Sequence, residues 1–198
     1  MYEAVSAGHV CVDIIPEFFS GAADARDIFI PGRLIKTGKN SFSTGGSVGN
    51  TRIALSKLGV STALAAKIGD DALGRMTCDL LRALGGDPSC ASVREGEDSS
   101  YTIVLAPPGV DRIFLHYAAA NDTFRADDVD FEKLRGARAF HFGYPTAMRR
   151  MAEEGGAELV KILRAAKDMG MTTSLDFSYP DERMIQFDWR TIFENALP

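Results

Sequence analysis

A chain of 198 residues, 45% of them apolar, has the size of one larger domain and enough apolar surface for a sizeable core. Its net charge of −5, with no stripe of Lys and Arg, argues against a nucleic-acid surface and leaves small neutral or weakly charged ligands as candidates. Cys11, Cys78 and Cys90 lack the paired spacing of a zinc or redox site, no apolar stretch is long enough for a membrane span and no basic leader opens the chain, so a reduced, cytoplasmic setting is expected.

Residues 3–12 mix small and β-branched side chains and read as a first strand that ends in Gly8 and turns toward Asp13. A carboxylate just past a strand's C-terminal end lies where open α/β sheets bind ligands, although an Asp here could also cap its own turn. Residues 16–43 set Pro16, Pro31 and several glycines around two apolar clusters, Ile28 to Ile30 and Leu34 to Ile35, and predict a loop with short strands. Thr44 to Gly74 then packs a glycine turn, a helix, a buried strand and a second helix start into one unit. Gly45, Gly46 and Gly49 allow positive φ and close approach of a ligand to the backbone. Asn50 follows in the first turn of the helix, where its amide can both donate and accept, which suits a polyhydroxylated ligand better than a bare anion. Leu55 and Leu58 predict an apolar face up to Gly59, and Thr62 to Ile68 predicts a buried strand. Asp70 or Asp71 then caps a helix whose Leu73, Met76, Leu80 and Leu84 recur at helical spacing.

Tyr101, Ile103 and Leu105 alternate with other residues, PPGVDR turns the chain, and Ile113, Leu115 and Tyr117 alternate again, which predicts a hairpin with one apolar face. Asn121 and Asp122 lead into a short helical patch ending near Leu134, with Asp127 as its cap. Residues 137–144 predict a buried strand ending in Gly143, on which His141 reads as a hydrogen-bonded core residue. Thr146 to about Met169 is helical, with Ala152, Leu159, Leu163 and Ala166 on one face and a break offered by Gly155 and Gly156. Thr172 to Phe177 is a further strand with Asp176 at its C-terminal edge, and Trp189 to Leu197 opens another helix. Strands alternating with helices imply a parallel sheet with right-handed crossovers.

Gly45, Gly46, Asn50, Gly59 and Gly69 stand in the spacing of a known signature, and on these residues the chain resembles the ribokinase/PfkB-like carbohydrate kinases. Val48 and Arg52 depart from it, standing where that family usually has a small residue or Pro, and Ser, Thr or Ala. The resemblance implies an α/β fold, a mostly parallel sheet flanked by helices. In it, residues 1–198 form the N-terminal portion of one domain, with insertions near 14–43 and 97–118 building a small β-sheet lid that is often also a dimer surface. It further implies a substrate site of Asp13, which with Gly8 matches a Gly-x-x-x-x-Asp position, together with Gly45, Gly46 and Asn50. Ser47 stands where some relatives carry a longer polar side chain, and Tyr101 and His116 become lid residues that bear on specificity. The implied reaction transfers the γ-phosphoryl group of ATP, with Mg2+, to a hydroxyl of a small sugar or sugar-like compound; no nucleic acid or membrane partner is implied.

Members of that family continue into an Asn-x-x-Glu motif that helps organise magnesium and a Gly-Ala-Gly-Asp-like motif that supplies the catalytic base; neither occurs in these residues. The chain therefore reads as a sugar-binding half cut before its nucleotide half, with neither catalytic base nor metal ligands expected inside it. Asp176 is the nearest candidate base, and equally a turn or capping residue. Ser178 and Pro180 stand where relatives acting on keto-deoxy sugar acids carry Asn and Arg, which argues against an acidic sugar. His9, His116 and His141 lack helical ligand spacing, and no Gly-x-Gly-x-x-Gly, Gly-Lys-Ser/Thr or Gly-x-Ser-x-Gly motif is present. The alternative from another class is a non-catalytic sugar-binding module or pseudo-kinase whose sheet is complete without further strands.

Overall fold

In the computed structural model, which describes residues 1–19, 25–179 and 187–196, the first half of the chain forms β1 (Ala4–Gly8), β2 (Cys11–Pro16), β3 (Asn40–Gly45), α1 (Gly46–Lys57), β4 (Thr62–Ala65), β5 (Lys67–Gly69) and α2 (Ala72–Ala83). The second half adds β6 (Ser92–Arg94), β7 (Tyr101–Leu105), β8 (Ile113–Tyr117), α3 (Ala120–Thr123), β9 (Ala139–Gly143), α4 (Ala157–Asp168), β10 (Thr172–Asp176) and α5 (Trp189–Ala196). Pro180, Leu197 and Pro198 lie outside the described residues.

The central sheet has the order β10-β9-β1-β4, all parallel. Helices cover both of its faces, which is why its strands carry near-continuous apolar runs instead of a strict alternation. On one face Phe140 and Phe142 of β9 pack with Leu159 and Ile162 of α4 and Ile192 of α5. On the other, Val48 of α1, Leu64 of β4 and Leu81 of α2 cluster with Val10. This is the α/β architecture the alternating pattern predicts. Among the described residues no helix is long and apolar enough to cross a membrane.

A second sheet of order β3-β2-β7-β8 stands apart from the first and forms a lid. The hairpin β7-β8 follows the sequence expectation, with Tyr101 opposite Tyr117 and Leu105 opposite Ile113. The expected single strand over residues 3–12 is instead two strands in two sheets. At Gly8, φ is +111° and the carbonyl of Gly143 occupies the space of a Cβ, so the chain turns there at little conformational cost. Asn121 fixes the bend that follows: its side-chain amide donates to Val10 O at 2.9 Å and its Oδ1 accepts the Val10 N–H at 3.3 Å. The clusters Ile28 to Ile30 and Leu34 to Ile35 form no strands; Pro31 lacks an N–H, Gly32 turns at φ +78°, and Leu34 is 94% exposed, so nothing offers them a ladder or a core. The pairing strands of that insertion lie at its two ends, in β2 and β3.

Tertiary packing also changes which helix faces are buried. Helix α1 begins at Gly46, earlier than expected, and buries Ser47, Val48, Gly49 and Arg52, while Leu55 is half-buried and Leu58 is 78% exposed. Small residues face inward because this helix lies close against the sheet. Asp71, of the two candidates, caps α2 by accepting from the Gly74 N–H at 2.7 Å. Its buried residues are Gly74, Thr77 and Leu81, one position round from the row Leu73, Met76 and Leu80, and Leu84 lies exposed at its end. The apolar run Thr62 to Ile68 is buried as expected but divides at Ala66 between β4 and a separate two-stranded sheet, β5-β6. Between α3 and Leu134 there are only short 3-10 and other turns, not a helix, and Asp128, not Asp127, accepts the Arg125 N–H at 3.0 Å. Glu154, Gly155 and Gly156 all take positive φ, so α4 starts at Ala157, with Leu159, Leu163 and Ala166 buried as the periodicity predicts.

Candidate functional site

His9 lies in the bend after β1, and Cys11 and Asp13 stand at alternating positions of β2, so those two share one side of the strand. The next strands of the same lid sheet supply the groups beside them. Asp13 stands level with Thr102 on β7, and Thr102 lies opposite His116 on β8. A continuous polar chain results. His9 Nε2 and His116 Nε2 are 3.1 Å apart, His116 Nδ1 is 3.0 Å from Thr102 Oγ1, and Thr102 Oγ1 is 3.4 Å from Cys11 Sγ, which donates to Asp13 Oδ1 at 3.4 Å.

Burial keeps this chain uncharged on its nitrogen and sulfur atoms. The His9 imidazole is driven down to about 3, first by loss of water and then by the neighbouring His116, whose own ring is lowered by burial. Burial, with the Asp13 charge beside it, pushes the Cys11 thiol well above its ordinary value, and burial also raises the Asp13 carboxyl. The cluster thus offers neutral groups that donate and accept, plus one carboxylate, an arrangement matched to hydroxyl groups better than to a phosphate.

The glycine pair frames Asp13. A Cβ on Gly45 would collide with the Asp13 carboxylate, so the absence of a side chain is what lets β3 run alongside it. Gly46 has φ +79° and its missing Cβ leaves room for the His9 carbonyl and ring, which lets the Val48 N–H reach His9 O at 3.1 Å. Positive φ is confined to Gly46 in this turn; Gly45 is extended at φ −104°, and Gly49 is helical, packed on Thr44. Asn50 falls in the second turn of α1, not its first, with an exposed side chain. Ser47 is buried against Gly143, its hydroxyl without a hydrogen-bond partner. Asp176 is half-buried at the end of β10, where its backbone carbonyl accepts the Tyr144 N–H at 2.8 Å.

The two lid residues separate. His116 joins the polar cluster, whereas Tyr101 belongs to the opposite face and packs on Tyr117 with ring centres 5.8 Å apart. His141 is half-buried and hydrogen-bonds Ser174 Oγ at 2.9 Å, close to the structural reading of its strand position. Sequence reasoning missed His9, Cys11 and Thr102 as site residues. The alternation of His9, Cys11 and Asp13 was the available signal, but nothing local announces that a histidine 107 residues away meets His9. A separate cleft of about 550 Å³ beyond β10, lined by Thr146, Phe177, Ser178, Tyr179, Trp189 and Phe193, is mostly aromatic and offers no comparable set of polar groups.

Residues 6–186 match the family model described as pfkB family carbohydrate kinase. The chain is 29% identical over 174 residues to "Probable fructokinase-3" of Arabidopsis thaliana, covering 87% of this chain and 46% of that protein. It is 30% identical over 171 residues to "2-dehydro-3-deoxygalactonokinase" of Haloferax volcanii, covering 84% and 53%. Among solved structures, the ribokinase of Giardia lamblia superposes with a TM-score of 0.72 at 15% identity, over 99% of this chain and 56% of that one, a likeness of fold. The chain spans about half the length of the curated relatives it matches.

Proposed function

The chain belongs to the pfkB family of carbohydrate kinases, and from that premise we propose that its 198 residues form the sugar-binding part of an enzyme that phosphorylates a hydroxyl of a small sugar or sugar-like compound. The observation that carries this reading is the seating of the Asp13 carboxylate against Gly45, on β2 of the lid sheet and beside neutral hydrogen-bonding groups. Asp13 would accept hydrogen bonds from sugar hydroxyls, the Gly45–Gly46 backbone would approach the ring, and Asn50 would close over it from the exposed side of α1. These groups would aim the acceptor hydroxyl and hold water away from it, which is where positioning contributes to phosphoryl transfer. ATP would supply the phosphoryl group; its site, the Mg2+ site and the catalytic base are proposed to lie in residues other than these.

Thermal unfolding of the chain against a panel of sugars, nucleosides and ATP tests the reading, because a ligand of the folded form alone raises the midpoint. A rise with one sugar and none with ATP is the expected result. Asn50→Ala should then weaken that sugar by about 1–3 kcal/mol, with the fold intact. A midpoint that moves with ATP alone, or a sugar affinity indifferent to Asn50→Ala, would overturn the assignment.

The lid also supports a homodimer. On its outer face Phe42, Ile14, Ile103 and Leu115 stand level across all four strands, and Phe42 and Leu115 are 44% and 50% exposed. A row of this kind on a sheet face is self-complementary under a two-fold axis, so a second copy is the proposed partner. Sedimentation should give a dimer that Leu115→Asp converts to monomer; a wild-type monomer at all concentrations removes the proposal.

A further inference from the structure

His9, Cys11 and His116 each direct one ligand atom to a common point, all of them within 4.8 Å of one another. We propose that these three residues bind a zinc-class divalent cation, which ties the lid to the body of the domain. The inference stands on this geometry and does not depend on the sugar reading.

The donor set is the one such ions select, two imidazole nitrogens and a thiolate. Two nitrogens bound at zinc's usual length to one tetrahedral ion lie about 3.3 Å apart, and His9 Nε2 and His116 Nε2 already stand at 3.1 Å. The two nitrogens keep their separation on admitting the ion in place of their hydrogen bond, and the three donors, which lie within 4.8 Å of one another, draw inward onto it. His116 is oriented for the task by Thr102 Oγ1 at its other ring nitrogen, the type of outer contact that fixes a ligating histidine. Burial of His9 and Cys11, 4% and 3% exposed, shields two of the three donors from solvent.

Binding replaces the Cys11 S–H proton by the metal and releases that proton to solvent. Three protein ligands leave a fourth position of a tetrahedral ion open to water. His9 belongs to the bend after β1, Cys11 to β2 and His116 to β8, so one ion would join the segment leaving the central sheet's strand β1 to two strands of the lid. The sequence spacing of the histidines argues against a metal site, and it is the lid topology that reverses that inference.

Cobalt(II) is the probe, since it takes zinc's geometry and reports a thiolate ligand by a charge-transfer absorption. The full chain, reduced and stripped with chelator, should bind one equivalent of Co2+ with that absorption, and Zn2+ should displace it. Cys11→Ser should abolish the absorption, Cys78→Ser should leave it unchanged, and His116→Ala, on an exposed edge strand, should lower metal affinity at least tenfold. Circular dichroism of each variant separates lost binding from lost fold. Absence of cobalt binding, an absorption that survives Cys11→Ser in a folded variant, or an affinity unchanged in His116→Ala would each overturn the site.

Discussion

Asp128→Ala is expected to cost about 3–5 kcal/mol of unfolding free energy, while Asp127→Ala beside it should cost under about 0.5 kcal/mol. Asp128 sits at a buried crossing of several segments. It accepts from Arg94 Nε at 2.9 Å, from the second Arg94 nitrogen at 2.6 Å, from the Arg125 N–H at 3.0 Å and from Ser92 Oγ at 3.3 Å, and it lies 3.7 Å from Lys67 Nζ. Lys67 and Asp128 are 4% and 2% exposed, and Glu97 pairs with the same ammonium at 2.7 Å. Removing the carboxylate leaves a buried ammonium with one counter-charge and strips a backbone N–H of its acceptor, and that desolvation penalty sets the size of the effect. The exposed Asp127 has no such role. Chemical denaturation of both variants decides the matter: a loss under about 1 kcal/mol for Asp128→Ala would show that the network contributes little.

Gly46→Ala should lower stability by about 3 kcal/mol, from two causes that add. Any L residue at φ +79° pays about 1–2 kcal/mol for a left-handed conformation. The new Cβ would also press into the His9 carbonyl and ring, and overpacking of this kind costs a further 1–3 kcal/mol or so. Gly59→Ala provides the internal control, since Gly59 has φ +82° with nothing within 4 Å of a Cβ, so only the conformational part should appear. Equal losses in the two variants would mean that His9 yields to the methyl group. A larger loss at Gly46 would show that the glycine holds the Val48 N–H to His9 O contact that seats α1 on the site.

Both variants test contacts that the linear pattern does not contain, and the same division runs through the whole molecule. The alternation of strand and helix, the glycine turn at Gly45 and Gly46, the hairpin β7-β8, the cap at Asp71 or its neighbour and the break at Gly155 and Gly156 were legible, because each rests on local chemistry: period, backbone freedom or a side chain reaching its own turn. An apolar run records that a segment is buried, but not in which sheet. Residues 3–12 and 62–68 therefore read as two strands, whereas long-range pairing splits them at Gly8 and Ala66 into four. Helix faces were misplaced for a related reason. In α1 the close approach of the helix to the sheet favours Ser47 and Gly49 inside over Leu58, which a hydrophobic period cannot anticipate.

The α/β class and the family signature are written in residues close together in the chain. Pairing of β2 with β3 is what sets Asp13 against Gly45, 32 residues on, and the fold alone brings together the groups of the polar cluster. The lid folds back so that His116 meets His9, and the strand parity that aims His116 inward turns Tyr101 out. Register between strands remote in sequence is set by the packing of whole sheets, and no local pattern encodes it.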